Sequence, residues 1–134
     1  MPMSIAVCNA SDDTIELLRS YLEADGFSTA VLEVDDIKRG RVDLFSFMEQ
    51  HDPRVIVWDI SPPYDHNWTF FRLIRTSEPF RNRGVVLTTT NKAALEKLVG
   101  PTDAYEILGK PYDLDAIVQA VQAEARRRTS PPLA

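Results

Sequence analysis

The sequence predicts an α/β fold, in which five parallel strands alternate with five helices in a doubly wound sheet. Short apolar runs rich in β-branched residues alternate with segments whose apolar residues recur at helical spacing. The run 55–58 is apolar throughout, the pattern of a strand covered on both faces in a parallel sheet. Strict alternation of strands and helices favours right-handed crossovers, which place helices on both faces of the sheet.

The composition is that of a single globular domain. The chain has 134 residues, of which 44% are hydrophobic and 26% charged. We expect residues 1–128 to form the domain and residues 129–134 to form a flexible tail or the start of a linker. The net charge of −5 argues against nucleic acid or an anionic membrane as a partner of this domain.

The sequence also favours a cytoplasmic protein. Its single cysteine, Cys8, excludes an internal disulfide and fits a reducing compartment. We find no apolar run of membrane length and no signal-peptide pattern at the start of the chain. Cys8 itself is expected to be a small buried apolar group.

The strands are placed by their apolar runs and by the turn residues around them. The predicted strands cover residues 4–8, 28–34, 54–59, 84–90 and 105–109. Pro62 and Pro63 follow the third strand, which must end before them because proline has no N–H for the strand ladder. Trp58 alternates with Asp59 and should face a covering helix.

The helices are placed by caps and apolar spacing. Ser11 should start the first helix and Gly26 should end it, and a charged turn over residues 35–41 should precede the second. That second helix, carrying Phe45 and Met48, should end at Asp52-Pro53. Asn67, Asn91 and Asp113 are the expected caps of the third, fourth and fifth helices. Trp68, at the start of the third helix, is expected to be partly exposed.

Asp59 is the candidate centre of function, because it ends the central strand. Parallel strands end at one edge of the sheet, where open α/β sheets place their ligand crevice. Asn9, the threonines 88–90 and Lys110 should converge on Asp59 at this edge. A carboxylate can attack phosphorus to give an acyl phosphate, while a lysine and a hydroxyl hold the phosphoryl oxygens. Asp59 could instead be a structural acid paired with Lys110.

The order and spacing of several segments resemble the receiver domain of two-component response regulators. The resemblance covers about residues 4–125 and rests on four segments: Val55-Ile-Val-Trp-Asp59-Ile-Ser-Pro-Pro63, Val85-Val-Leu-Thr-Thr-Thr90, Leu108-Gly-Lys110-Pro-Tyr112 and Gly26-Phe27. It implies a flavodoxin-like fold with strand order 2-1-3-4-5. It also implies that Asp59 accepts a phosphoryl group from a histidine kinase or phosphotransfer protein, with Thr89 as the switch hydroxyl and Lys110 as the phosphate-binding cation. The domain would be a signalling module rather than an enzyme.

The resemblance fails at the residues that should hold a metal ion. Receiver domains usually end the first strand with two acids that bind Mg²⁺, and these positions fall on Asn9 and Ala10. Magnesium prefers carboxylate oxygens, so a site made of Asp59, Asn9 and Asp12 is expected to be weak or absent. Ile107 also replaces the usual aromatic residue of the fifth strand.

Two functions remain open on this evidence. One is a receiver whose Asp59 is phosphorylated, with weakened Mg²⁺ binding, and whose surface made by the fourth helix, fifth strand and fifth helix contacts an output partner or a second copy. The other is a phosphorylation-independent module that binds a partner or dimerises through the same face. An enzyme or flavin carrier is disfavoured, because no phosphate-cradling loop follows the first strand.

Overall fold

A five-stranded parallel sheet forms the centre of the molecule. The computed structural model describes residues 3–9, 12–100, 106–109 and 113–129. The strands are β1 (Ser4–Asn9), β2 (Ser28–Glu33), β3 (Val55–Ile60), β4 (Gly84–Thr89) and β5 (Glu106–Gly109). Their order, β2-β1-β3-β4-β5, and their parallel pairing confirm the predicted fold class.

The described residues form six α-helices, one more than the sequence predicted. They are α1 (Asp12–Ala24), α2 (Val34–Lys38), α3 (Leu44–His51), α4 (Tyr64–Arg75), α5 (Lys92–Val99) and α6 (Leu114–Thr129), with a short 3-10 helix at Glu78–Phe80. The predicted tail lies outside the described residues apart from Thr129, which ends α6. None of these helices has the length and apolar character that a membrane span requires.

The additional helix is α2, where the sequence predicted a charged turn. Asp35 and Asp36 lie in its first turn, where acids are favoured by the helix dipole. The Asp35 carboxylate pairs with the Arg39 guanidinium at 3.1 Å, one turn later. The charged residues therefore support a helix here, and β2 ends at Glu33, one residue before the predicted end.

The start of α4 also differs from the prediction. The helix begins at Tyr64 with Pro63 in the capping position, and Asn67 lies inside the first turn. The Asn67 backbone N–H donates to the Pro63 carbonyl oxygen at 3.0 Å, so Asn67 is part of the helix. Its side chain is used elsewhere, because Nδ2 donates to the Ser61 carbonyl oxygen at 2.6 Å.

Two of the predicted caps are confirmed. Asn91 Oδ1 accepts from the Ala94 N–H at 3.1 Å, and Asp113 Oδ1 accepts from the Ala116 N–H at 3.2 Å. Gly26 follows α1 with a φ of 94°, a left-handed conformation that glycine adopts without steric cost. Ser11, the predicted cap of α1, lies outside the described residues.

One face of the sheet is covered by α3, α4, α5 and the 3-10 helix. Its apolar layer is centred on Trp58, whose ring lies 5.3 Å from that of Phe71 and 6.1 Å from that of Phe80. The burial of Trp58 confirms its predicted core position. Trp68 is only 7% exposed and stacks on Phe71 at 5.9 Å, so the expectation that it is partly exposed is wrong.

The opposite face is covered by α1 and α6. Its layer contains apolar side chains of the central strands together with residues from both helices: Ile5, Val7, Val55, Val57, Val86, Ile15, Leu18, Leu22, Ile117 and Val121. Cys8 is buried on the first face, as predicted, and burial raises the pKa of its thiol. The sheet is thus covered on both faces by apolar layers, and the buried polar residues Asp59 and Thr88 lie at its carboxyl edge.

Candidate functional site

A buried carboxylate and a buried hydroxyl form the centre of the site. Asp59 is the penultimate residue of β3 and is 6% exposed, while its register partner Thr88 in β4 is fully buried. Partners in neighbouring parallel strands project to the same face of the sheet. The Thr88 Oγ1 hydroxyl donates to Asp59 Oδ1 at 2.7 Å, a hydrogen bond to a charged acceptor.

The hydroxyl that bonds Asp59 is therefore that of Thr88, whereas the resemblance implies Thr89 as the switch hydroxyl. Thr89 pairs with Ile60 and projects to the opposite face, because side chains alternate along a strand. The Thr89 Oγ1 atom accepts from the Asn91 N–H at 3.3 Å, at the start of α5. The two threonines differ by one position, and only the pairing register of β3 with β4 decides between them.

Asn9 is the last residue of β1, the strand next to β3. It follows Ile5 and Val7 at alternate positions, so it projects to the face of α1 and α6, as Asp59 and Thr88 do. Asn9 is 2% exposed. Its register partner in β2 is Glu33, an acid at this edge that the predicted strand 28–34 had placed before the strand end.

The described residues at this edge offer few carboxylate ligands for a magnesium ion. Asp59 supplies a carboxylate and Asn9 a neutral amide, whereas magnesium sites generally rely on carboxylates and water. Within the described ranges, no three acidic, histidine or cysteine side chains are grouped so that they could hold a metal ion. Ala10 and the side chain of Asp12 lie outside what the structure describes, and Asp13 is exposed in the first turn of α1.

The predicted cation and its neighbours also lie outside the described residues. This applies to Lys110, Pro111 and Tyr112, which follow β5. The last residue of β5, Gly109, pairs with Thr89 at the end of β4. Ile107 packs against the layer under α3, α4 and α5, as expected for a core residue.

The loop after Asp59 is held by contacts with distant residues, which local sequence patterns do not predict. The Asn67 side chain accepts a hydrogen bond from Lys38 Nζ of α2 and donates to the Ser61 carbonyl oxygen, two residues after Asp59. Lys38 Nζ also lies 5.6 Å from the centre of the Phe70 ring, a cation–π arrangement. The Tyr64 hydroxyl forms a hydrogen bond with Thr90. The loop is therefore held on one side by α2 and on the other by the end of β4.

Comparison with known proteins relates this fold to a set of solved structures. No protein-family model matches the sequence, and no curated protein matches it. A sensor protein from Polaromonas sp. JS666 aligns with a TM-score of 0.73 and 18% identity, covering 95% of this chain and 98% of its own. A response regulator receiver protein from Sinorhizobium medicae WSM419 aligns with a TM-score of 0.70 and 21% identity, covering 95% and 97%. The chemotaxis protein CheY4 of Vibrio cholerae aligns with a TM-score of 0.67 and 18% identity, covering 92% and 98%.

The alignments cover nearly the whole of each chain, and the resemblance read from the sequence is confirmed at the level of the fold. The chain therefore has the fold of a response-regulator receiver domain.

Proposed function

We propose that this chain is a receiver-type signalling domain in which Asp59 accepts a phosphoryl group from a histidine kinase or phosphotransfer protein. The observation that carries this proposal is the 2.7 Å hydrogen bond from Thr88 Oγ1 to Asp59 Oδ1, at the carboxyl end of the central strand. An acid and a hydroxyl side by side at this edge of an open α/β sheet are placed where such folds bind ligands.

The proposed reaction is transfer from a phosphohistidine to the carboxylate. An Asp59 carboxylate oxygen attacks phosphorus, the P–N bond breaks, and the imidazole nitrogen leaves with the electron pair and takes a proton from solvent. The product is an acyl phosphate. The Thr88 hydroxyl, which now donates to the carboxylate, is in position to donate to a phosphoryl oxygen instead. Lys110 is the proposed second partner of the phosphoryl group.

We expect the acceptor chemistry to be weaker than in a receiver with paired acids. Phosphoryl transfer relies on neutralisation of the developing charge, which a metal ion commonly supplies. Asn9 and Ala10 bring no negative charge to the positions where the resemblance expects acids. Magnesium binding should accordingly be weak, and phosphorylation should need high concentrations of donor.

The described contacts offer a route from the site to an output surface. Thr88 is followed by Thr89, whose Oγ1 accepts from the Asn91 N–H, and Asn91 Oδ1 in turn accepts from the Ala94 N–H in α5. Movement of β4 at Thr88 would therefore reach the start of α5 directly. The proposed output surface is the one made by α5, β5 and α6, which would contact an output protein or a second copy of the chain.

A second function, a phosphorylation-independent partner-binding module, is favoured by one feature of the site. Asp59 is only 6% exposed, which limits access to its carboxylate. In this case the Asp59–Thr88 pair would be a structural connection between β3 and β4.

The two functions are separated by treating the protein with Mg²⁺ and acetyl phosphate and measuring its intact mass. We expect a gain of one phosphoryl group in the wild type and in Asp65→Asn, and no gain in Asp59→Asn. Asp65 is a matched control because it is an exposed acid in the first turn of α4, at the same edge of the sheet. A gain that persists in Asp59→Asn would exclude Asp59 as the acceptor.

The role of the missing acid is tested by Ala10→Asp under the same conditions. We expect this variant to gain mass faster than the wild type and at lower magnesium concentration, because a second carboxylate strengthens the ligand set. If neither protein gains mass at any magnesium concentration, the phosphorylation-independent function is the correct one.

A further inference from the structure

A chain of hydrogen bonds links the short helix α2 to the loop that follows Asp59. Val34 is buried and Ile37 packs against the layer under α3, α4 and α5, so α2 is seated on this face of the sheet. The next residue, Lys38, reaches α4, where its Nζ amine donates to Asn67 Oδ1. The two residues are 29 positions apart in the chain, so only the tertiary structure brings them together.

Lys38 contacts two residues on one face of α4. Asn67 and Phe70 are three positions apart in this helix and are therefore neighbours on its surface. The Lys38 amine donates to Asn67 and also lies 5.6 Å from the centre of the Phe70 ring, a cation–π arrangement. The lysine as a whole is exposed, but these two contacts hold its charged end in one place.

The side-chain amide of Asn67 connects Lys38 to the loop. Asn67 is 7% exposed, so its amide relies on partners within the protein. An ammonium group can only donate and a backbone carbonyl can only accept. Lys38 therefore turns the Asn67 Oδ1 atom toward α2, and this leaves Nδ2 to donate to the Ser61 carbonyl oxygen at 2.6 Å. Without Lys38, the buried Oδ1 atom loses its donor and the amide loses the contact that sets its orientation.

The loop fixed in this way begins directly after the strand that carries Asp59. Ser61 follows Ile60, the last residue of β3, so a shift of the backbone at Ser61 is passed to the strand end through the chain itself. We propose that Lys38 is a positioning residue, which acts through Asn67 to fix the backbone beside the acceptor for phosphoryl transfer. This inference rests on the proposed function of Asp59. Small displacements caused far from the reacting atoms can lower a rate by up to about 100-fold.

Hydrogen exchange of the loop, measured by mass spectrometry, tests the positioning without a phosphoryl donor. In Lys38→Met, a peptide covering residues 60–68 should exchange at least about fivefold faster than in the wild type, because the loop loses its connection to α2. Lys38→Arg should restore slow exchange, since a guanidinium also donates to Asn67 and keeps its charge beside Phe70. Equal exchange in the wild type and Lys38→Met would overturn the proposal.

The consequence for the reaction is measured as the rate of mass gain with Mg²⁺ and acetyl phosphate. Lys38→Met should lower this rate about tenfold, and Lys38→Arg should restore it to within about threefold. Arg39→Met is the matched control, because Arg39 is the adjacent exposed cation and pairs with Asp35 rather than with α4. It should match the wild type in both rate and exchange. Thermal melting checks that each variant is folded at the assay temperature.

Asn67→Asp separates the contact with Lys38 from the contact with the loop. The new carboxylate still accepts from the lysine, but it has no N–H to donate to the Ser61 carbonyl oxygen. We expect slow mass gain and fast exchange, as in Lys38→Met. A wild-type rate in Asn67→Asp would show that Lys38 does not act through the bond to Ser61, and the proposal would be wrong.

The same measurements separate this proposal from the one for Asp59. If the wild type gains no mass, the proposed acceptor function fails, and the role of Lys38 in the transfer fails with it. If the wild type gains mass and Lys38→Met gains it at the same rate, only the role of Lys38 is overturned.

Discussion

At the scale of single residues, the site depends on which of two adjacent threonines meets Asp59. Thr88 and Thr89 are both fully buried, so burial does not distinguish them. Their surroundings do, because Thr88 donates to a carboxylate and Thr89 accepts from a backbone N–H at the start of α5. Side chains of adjacent residues in a strand project to opposite faces of the sheet, so the two threonines have different neighbours.

The pair of variants Thr88→Val and Thr89→Val tests this difference. Thr88→Val removes a buried donor to a carboxylate, and we expect the free energy of unfolding to fall by about 1–3 kcal/mol. Thr89→Val removes only the long hydrogen bond from the Asn91 N–H. Because Asn91 is exposed, water can replace that acceptor, and we expect the free energy of unfolding to fall by less than about 1 kcal/mol. Urea denaturation monitored by circular dichroism measures both.

The same pair has a functional readout. With acetyl phosphate and Mg²⁺, Thr88→Val should gain mass more slowly than Thr89→Val, because it lacks the hydroxyl that donates to the carboxylate and that we propose as a donor to the phosphoryl group. Equal rates of mass gain in the two variants would contradict the assignment of the site hydroxyl to Thr88.

At the scale of elements, the N-termini of the two helices that begin beside the site are stabilised in different ways. Asn91 caps α5 with its side chain, while α4 begins after Pro63 without a side-chain cap and Asn67 is committed to the loop and to Lys38. The short helix α2 brings Lys38 to this loop. The sequence predicted the cap correctly at Asn91, whose side chain bonds only within its own helix turn. It misplaced the cap at Asn67, because that side chain bonds Lys38 and the Ser61 carbonyl instead.

The start of α5 is tested by Asn91→Ala. The Ala94 N–H loses its acceptor, and we expect the free energy of unfolding to fall by about 1 kcal/mol, the usual value of an N-cap. Glu96→Ala on the exposed face of the same helix should change it by less than about 0.5 kcal/mol. Chemical denaturation of both variants makes the comparison, and equal losses would show that the cap contributes nothing beyond ordinary surface substitution.

At the scale of the whole molecule, one sheet supports two apolar layers. The layer under α3, α4 and α5 contains both tryptophans, and the layer under α1 and α6 contains neither. All five strands are joined in a single hydrogen-bonded sheet. The two layers therefore depend on each other, because unfolding of the shared sheet would expose the apolar side chains of both layers to water.

This dependence predicts a single cooperative unfolding transition. Tryptophan fluorescence reports only the layer with Trp58 and Trp68, whereas far-ultraviolet circular dichroism reports all helices. We expect the same urea midpoint by both methods, as for a two-state domain of this size. In Trp68→Phe, which leaves Trp58 as the fluorescent reporter, the urea midpoints by fluorescence and by circular dichroism should again coincide. A fluorescence transition that precedes the loss of helix would mean that the layers unfold separately.

The fold was predictable because its signals are local. Apolar runs of strand length alternating with helical spacing require a layered α/β structure, and Pro62-Pro63 fixes where the central strand ends. The position of Asp59 at the carboxyl edge follows from the same two facts, and so does the burial of Trp58 by alternation along the strand.

By itself, then, the sequence determined the class of fold, the central strand and the acid at its end. Only the tertiary structure decided that Thr88 rather than Thr89 meets Asp59 and that Trp68 is buried. The physical reason is the sequence separation of the interacting residues. Strand and helix patterns depend on residues that are close in the chain, whereas strand register and contacts between elements involve residues that are distant in sequence.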